Sequence, residues 1–97
     1  MELTAGRLRI AGALDTYNAT ELRDRLSEAL REQAALTLDL AGVESCDFST
    51  IQLLCAARRT AEAAGKPLVV EGVSEGILSA CATLGISPEI FSAAGSA

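Results

Sequence analysis

Leu36, Leu38 and Leu40 alternate with Thr37 and Asp39 in "ALTLDLA" (35–41), the period-two signature of a strand with one buried face. "LRIAG" (8–12) repeats the pattern, with Leu8 and Ile10 set against Arg7 and Arg9, and Gly12 closes it. "ELTAG" before it fits a short partner strand in a hairpin turning near Ala5-Gly6. "PLVVEGV" (67–73) is a further strand, opened by Pro67. Between these runs the period changes. Leu22, Leu26, Ala29 and Leu30 form a helical stripe, predicting a helix from about Ala19 to Glu32. A second helix is predicted from about Thr50 to Ala64, stopping at Gly65 before Pro67. A third starts at Ser74 and carries Ile77, Leu78, Cys81 and Leu84; Gly85, with Ile86 packing back and Pro88 beyond, stops it.

Strands alternating with helices of this length imply βαβ units with right-handed crossovers. A parallel strand buried on both sides would be apolar on both, so "ALTLDLA" places the helices mainly on one face. The expected fold is a single α/β domain: a mostly parallel, mixed sheet of four or five strands with three or four helices. The domain is expected over residues 1–91, with "SAAGSA" (92–97) a flexible tail.

Two helix starts carry the same grammar. Asn18 with Glu21 three residues on fits a capping box, flanked by Tyr17 and Leu22 as a hydrophobic staple. Ser49 with Gln52 fits the S-x-x-Q form, with Phe48 and Leu53 as the staple. Ser49 is thus expected to be an N-cap, worth about 1 kcal/mol over alanine.

Composition narrows the chemistry. With no Trp, two Phe and one Tyr in 97 residues, the core must be aliphatic. A net charge of −5 and scattered basic residues argue against nucleic acid and anionic membranes as partners. Arg58-Arg59, the one adjacent basic pair, reads as a solvated face. No apolar run reaches membrane-spanning length and no leader sequence follows Met1, so a cytoplasmic protein without direct membrane insertion is expected. Three cysteines without CxxC spacing and no histidine read against a metal site; Cys55 and Cys81 fall on apolar helical positions. There is no glycine-rich phosphate loop and no base beside a nucleophile, so neither catalytic residues nor a cofactor is expected.

The order strand, "GALD", helix, "LTLDLAGVESCD", helix, "AAGKPLVVEGVSEGILSACATLGI" resembles the STAS domain, the family of anti-sigma factor antagonists and of the cytosolic domains of sulfate transporters. The resemblance covers essentially the whole chain. In soluble members an Asp after the central strand is followed by two small residues, a glycine and an apolar residue, and the second small residue accepts phosphate. Here those positions read Asp47, Phe48, Ser49, Thr50 and Ile51. Asp47 and Ser49 match; Phe48 replaces a small residue and Thr50 replaces the glycine, setting a β-branched side chain where a kinase would approach the backbone.

The resemblance implies a regulatory interaction module that binds a kinase-type anti-sigma factor (a serine kinase), or a chemotaxis-linked partner, and is switched by phosphorylation of Ser49. Its partner surface would comprise Asp15, Asp47, Phe48, Ser49, Thr50 and Gln52. Asp47 would position a phosphoryl group or a metal held by the kinase, or else cap the loop. Asp15 would be an acidic element of the same surface, or else a turn former. Thr50 and Ser45 are the alternative acceptors. The runner-up is a scaffold subunit of an ABC-type lipid transport complex, without reversible phosphorylation.

Overall fold

The computed structural model describes residues 2–87. Pro88 and the expected tail at 92–97 lie outside them. The elements are β1 (Glu2–Thr4), β2 (Arg7–Leu14), α1 (Ala19–Glu32), β3 (Leu36–Cys46), α2 (Phe48–Ala63), β4 (Leu68–Glu71) and α3 (Glu75–Leu84). They form a mixed sheet in the order β1-β2-β3-β4, in which β1 pairs antiparallel with β2 and the other two pairings are parallel. This is the α/β architecture expected, with four strands and three helices among the described residues.

The hairpin turn falls on Ala5 and Gly6, both with positive φ. Such a two-residue turn matches the right-handed twist of the flanking strands. Leu8, Ile10 and Leu14 of β2 and Leu36, Leu38, Leu40 and Val43 of β3 point to one face. There they meet Leu22, Leu26 and Leu30 of α1, Ile51, Leu54 and Ala61 of α2, and Ile77 and Cys81 of α3, in one aliphatic core. The opposite face is polar. Arg7 pairs with Glu71 at 2.6 Å and lies 3.6 Å from Asp39, while Arg9 lies 3.9 Å from Asp39.

β3 runs five residues past the stretch that sequence alternation marks, because its alternation changes phase. Its register with β2 slips between Arg9 and Ala11 and again between Gly12 and Ala13. Each slip inserts an extra residue into β3, as a β-bulge does. After the first, Val43 rather than residue 42 faces the core. Gly42 sits at the slip, where a Cβ would lie 2.8 Å from the Ala11 Cβ. The strand therefore stays paired as far as Cys46 and delivers residue 47 to the carboxyl end of the sheet.

α3 ends as predicted, with Gly85 left-handed at φ 71° and Ile86 against the core. The first helix start differs from its expectation. Asn18 occupies the N-cap position of α1, but at ψ 8° its side chain makes no cap bond. Instead it accepts from the Asp15 amide at 2.8 Å and donates to the Ala13 carbonyl at 2.9 Å, locking the loop after β2. Tyr17 is 97% exposed, so no staple forms with Leu22. Arg58 is not solvated either. Its side chain is 16% exposed and 3.9 Å from Glu62, and its Nε is buried without a hydrogen-bond partner; Arg59 is exposed. The aliphatic stem of Arg58 flanks the buried stripe of α2, a common placement for long basic side chains.

Candidate functional site

The parallel strands β2 and β3 end side by side, Leu14 opposite Cys46, so the loops that follow them meet above the sheet. In open α/β sheets ligands and partners collect at such carboxyl ends. From β3 the chain passes through Asp47, extended at ψ −178°, directly into α2. Asp47 is the N-cap, accepting from the Thr50 amide at 3.1 Å.

This corrects the expected cap. Ser49 lies inside the first turn and is itself a donor: its hydroxyl gives a 2.7 Å hydrogen bond to Asp47 Oδ1. Gln52 is exposed, and with Asp47 in the cap position Phe48 (49% exposed) and Leu53 no longer occupy the staple positions. The reason lies in Thr50. Its side chain is fully buried, and its hydroxyl also donates to Asp47 Oδ1 at 3.2 Å. Beginning the helix two residues earlier lets Thr50 and Ile51 face the core together, leaving Asp47 as the residue in cap position. Thr50 therefore points away from the surface, so it neither obstructs approach to Ser49 nor offers an accessible acceptor.

A fourth donor comes from the other loop. The Thr16 hydroxyl reaches Asp47 Oδ2 at 3.3 Å, tying the β2–α1 connection to the start of α2. Accepting from Ser49, Thr50 and Thr16 favours the charged form, so the Asp47 carboxyl is held below its usual range, with the Ser49 hydroxyl the largest cause. Asp47 is consequently a weak base that orients the Ser49 hydroxyl. Asp15, on the same side of the sheet, has its carboxylate occupied by the Tyr17 amide at 2.9 Å and the Asn18 amide at 3.4 Å. It shapes the loop that presents Thr16. Ser45 is exposed at the end of β3.

The residues singled out in the sequence divide accordingly. Asp47, Ser49 and Thr50 form one hydrogen-bonded unit; Phe48 and Gln52 are exposed beside it; Asp15 acts through its loop. Thr16 was not singled out, and nothing beyond a hydroxyl next to Asp15 signals it. Burial pushes the Cys46 and Cys81 thiols up, which leaves both protonated and unreactive at neutral pH. Among the described residues no group of three or more His, Cys, Asp or Glu is placed to hold a metal, and no helix is long and apolar enough to cross a membrane.

A strand-delivered acidic cap followed by a serine, on a mixed sheet with helices on one face, defines a class of domain that the comparisons with known proteins identify. A family model described as "Mlab, STAS domain" matches residues 1–88. The chain belongs to the STAS domain family. Among the solved structures that share its fold are the following two. The unphosphorylated form of the anti-sigma factor antagonist SpoIIAA superposes with a TM-score of 0.59 at 19% identity, covering 72% of this chain and 67% of that one. A sulfate transporter family protein from Wolinella succinogenes superposes with a TM-score of 0.63 at 18% identity, covering 99% and 90%. No curated protein matches.

Proposed function

We propose that this chain is a regulatory protein-interaction module that docks a protein partner at the amino end of α2 and is switched by phosphorylation of Ser49. The observation that carries this reading is the hydrogen bond from the Ser49 hydroxyl to Asp47 at 2.7 Å. It holds a partly exposed serine oxygen in one orientation at a helix terminus, beside an exposed aromatic ring. A phosphate there gains from the helix amides and the positive end of the dipole. It also replaces the donor to Asp47 with a dianion next to a carboxylate. The modified surface is both recharged and locally loosened, whereas the bond from the Thr50 amide to Asp47 persists and keeps the helix. A partner packed on this surface would have to desolvate the new charge, so phosphorylation weakens the complex. The partner class implied by the family resemblance is a kinase-type anti-sigma factor or a chemotaxis-linked protein in the cytoplasm.

The second reading, a scaffold subunit of an ABC-type lipid transport complex, is favoured by Phe48. A ring 49% exposed at the docking surface supplies an apolar contact that needs no phosphate. Affinity capture from the native cytosol with wild type, Ser49→Ala and Ser49→Asp as bait separates the two. The switch reading expects an ATP-binding serine kinase held by wild type and Ser49→Ala and released by Ser49→Asp. A transporter ATPase held equally by all three establishes the scaffold instead.

A further inference from the structure

The carboxyl end of β3, the first residues of α2 and one face of α3 enclose an open groove of about 520 Å³. Its α3 wall is a stripe at helical spacing that includes Ala80 and Leu84, and Phe48 faces it from α2. Phe48 and Leu84 are two of the exposed large hydrophobic residues, the latter 41% exposed. The two walls are held close because Gly76 packs on the β3 backbone, where a Cβ would overlap the Glu44 carbonyl oxygen. Three carboxylates line the groove, those of Glu44, Asp47 and Glu75, and no Lys or Arg does. The larger groove between α1 and α2, about 710 Å³, differs in this respect: Arg23, Arg31 and Lys66 line it together with Asp24 and Glu28, so it carries both signs of charge.

Exposed apolar side chains set among three carboxylates, with Ser45, Ser79 and Thr83 between them, suit an occupant that is apolar on one side and basic at its edges. α3 covers the end of β3 at Gly76, so the groove presents side chains instead of a free strand edge. That favours a helix laid into it over an added strand. We propose that the groove binds a basic amphipathic helix of the protein partner, its aliphatic side chains on Phe48, Ala80 and Leu84 and its Lys or Arg residues against Glu44 and Glu75. This rests on the reading of the α2 amino end as the partner-docking surface and extends it to a second contact. Ser49 does not line the groove. The groove is therefore a contact separable from the switch: it still takes an isolated helix when the contact around Ser49 is broken, but does not hold the whole partner by itself.

The test is isotope-edited NMR on the full chain. It is titrated with a synthetic leucine–lysine peptide of about 15 residues with leucines at helical spacing, and with its leucine–glutamate counterpart. The expected result is saturable binding of the lysine peptide alone, with shifts centred on 44–48 and 75–84. Phe48→Ser and Leu84→Ser, both at exposed positions and each checked for a native spectrum, should weaken it about tenfold or more. Glu44→Gln with Glu75→Gln should weaken it several-fold at low salt, a difference that closes as salt is raised. Shifts centred between α1 and α2, equal binding of the glutamate peptide, or unchanged affinity in both serine variants would overturn the proposal. So would a dimer of this chain that Phe48→Ser dissociates, because a second copy would then fill the groove. Ser49→Asp separates the two readings: it should leave peptide affinity within about twofold while releasing the captured partner. Peptide binding lost with partner release intact would sink the groove alone; the reverse would sink the switch alone.

Discussion

Replacing Asp47 tests the cap at its centre. In Asp47→Ala the amide of Thr50 loses its acceptor, a cap loss worth about 1 kcal/mol. The Thr50 hydroxyl, fully buried, loses its partner as well. Stranding such a group costs about 1–3 kcal/mol, and less where the hydroxyl swings to a carbonyl of the preceding turn. The Ser49 and Thr16 hydroxyls can turn to water and add little. The sum is about 2 kcal/mol, or on the order of 10 °C in Tm for a domain of this size. Asp47→Asn keeps an acceptor oxygen and loses the charge, so about half that cost is expected. The pH dependence follows from the lowered carboxyl of Asp47. Its contribution is complete above the unfolded carboxylate value and is lost as pH falls through the lower folded one, so the acid limb of wild type should be flattened in Asp47→Asn. Urea unfolding followed by circular dichroism at neutral and acidic pH measures each quantity. Ser49→Ala, which removes a donor and leaves the cap in place, should cost well under 1 kcal/mol. Ser49→Ala as costly as Asp47→Ala would refute the assignment and return the cap to Ser49.

Three further outcomes are expected. Gly76→Ala forces α3 away from the β3 backbone, because a Cβ overlaps the Glu44 carbonyl; a loss of about 2 kcal/mol or more in urea unfolding is expected, against the gain of up to about 1 kcal/mol that alanine brings at an open helical position. Cys81, buried and with its thiol pushed up, should react with an aromatic disulfide reagent at neutral pH only as fast as the protein opens, and promptly in denaturant. Thr16→Val removes the tether between the loops while sparing the core, so hydrogen exchange in 15–18 should speed up with the amides of β3 unchanged.

Strong periodicity made most of the fold legible in the sequence. The Leu36, Leu38, Leu40 alternation, the Leu22 to Leu30 stripe of α1 and the Ser74 and Gly85 ends of α3 each rest on a local rule that the tertiary structure does not oppose. β3 was undercounted because its bulges move the buried position from even to odd numbers, which a strict period of two reads as the end of the strand. The caps were misplaced for a different reason. Asp47 and Ser49 are both good cap residues, and Gln52 completes a box only for the second. What decides between them is which start turns Thr50 inward, and that depends on packing against the core. Asn18 shows the same limit, since its side chain is captured by a loop whose shape no capping rule contains. The site residues Asp47, Phe48 and Ser49 were legible only through the family resemblance. Thr16 and the α3 wall of the groove are brought beside the candidate site by the fold alone.

The account turns on Ser49 as the switch. The most direct measurement is phosphosite mapping by mass spectrometry of the full chain isolated from its native cells under phosphatase inhibition, with Ser49→Ala expressed in parallel. A phosphate on Ser49 that rises and falls with growth conditions, with no substitute site in Ser49→Ala, is the predicted result. An unmodified Ser49 in every condition, including those in which the partner is released, would contradict it.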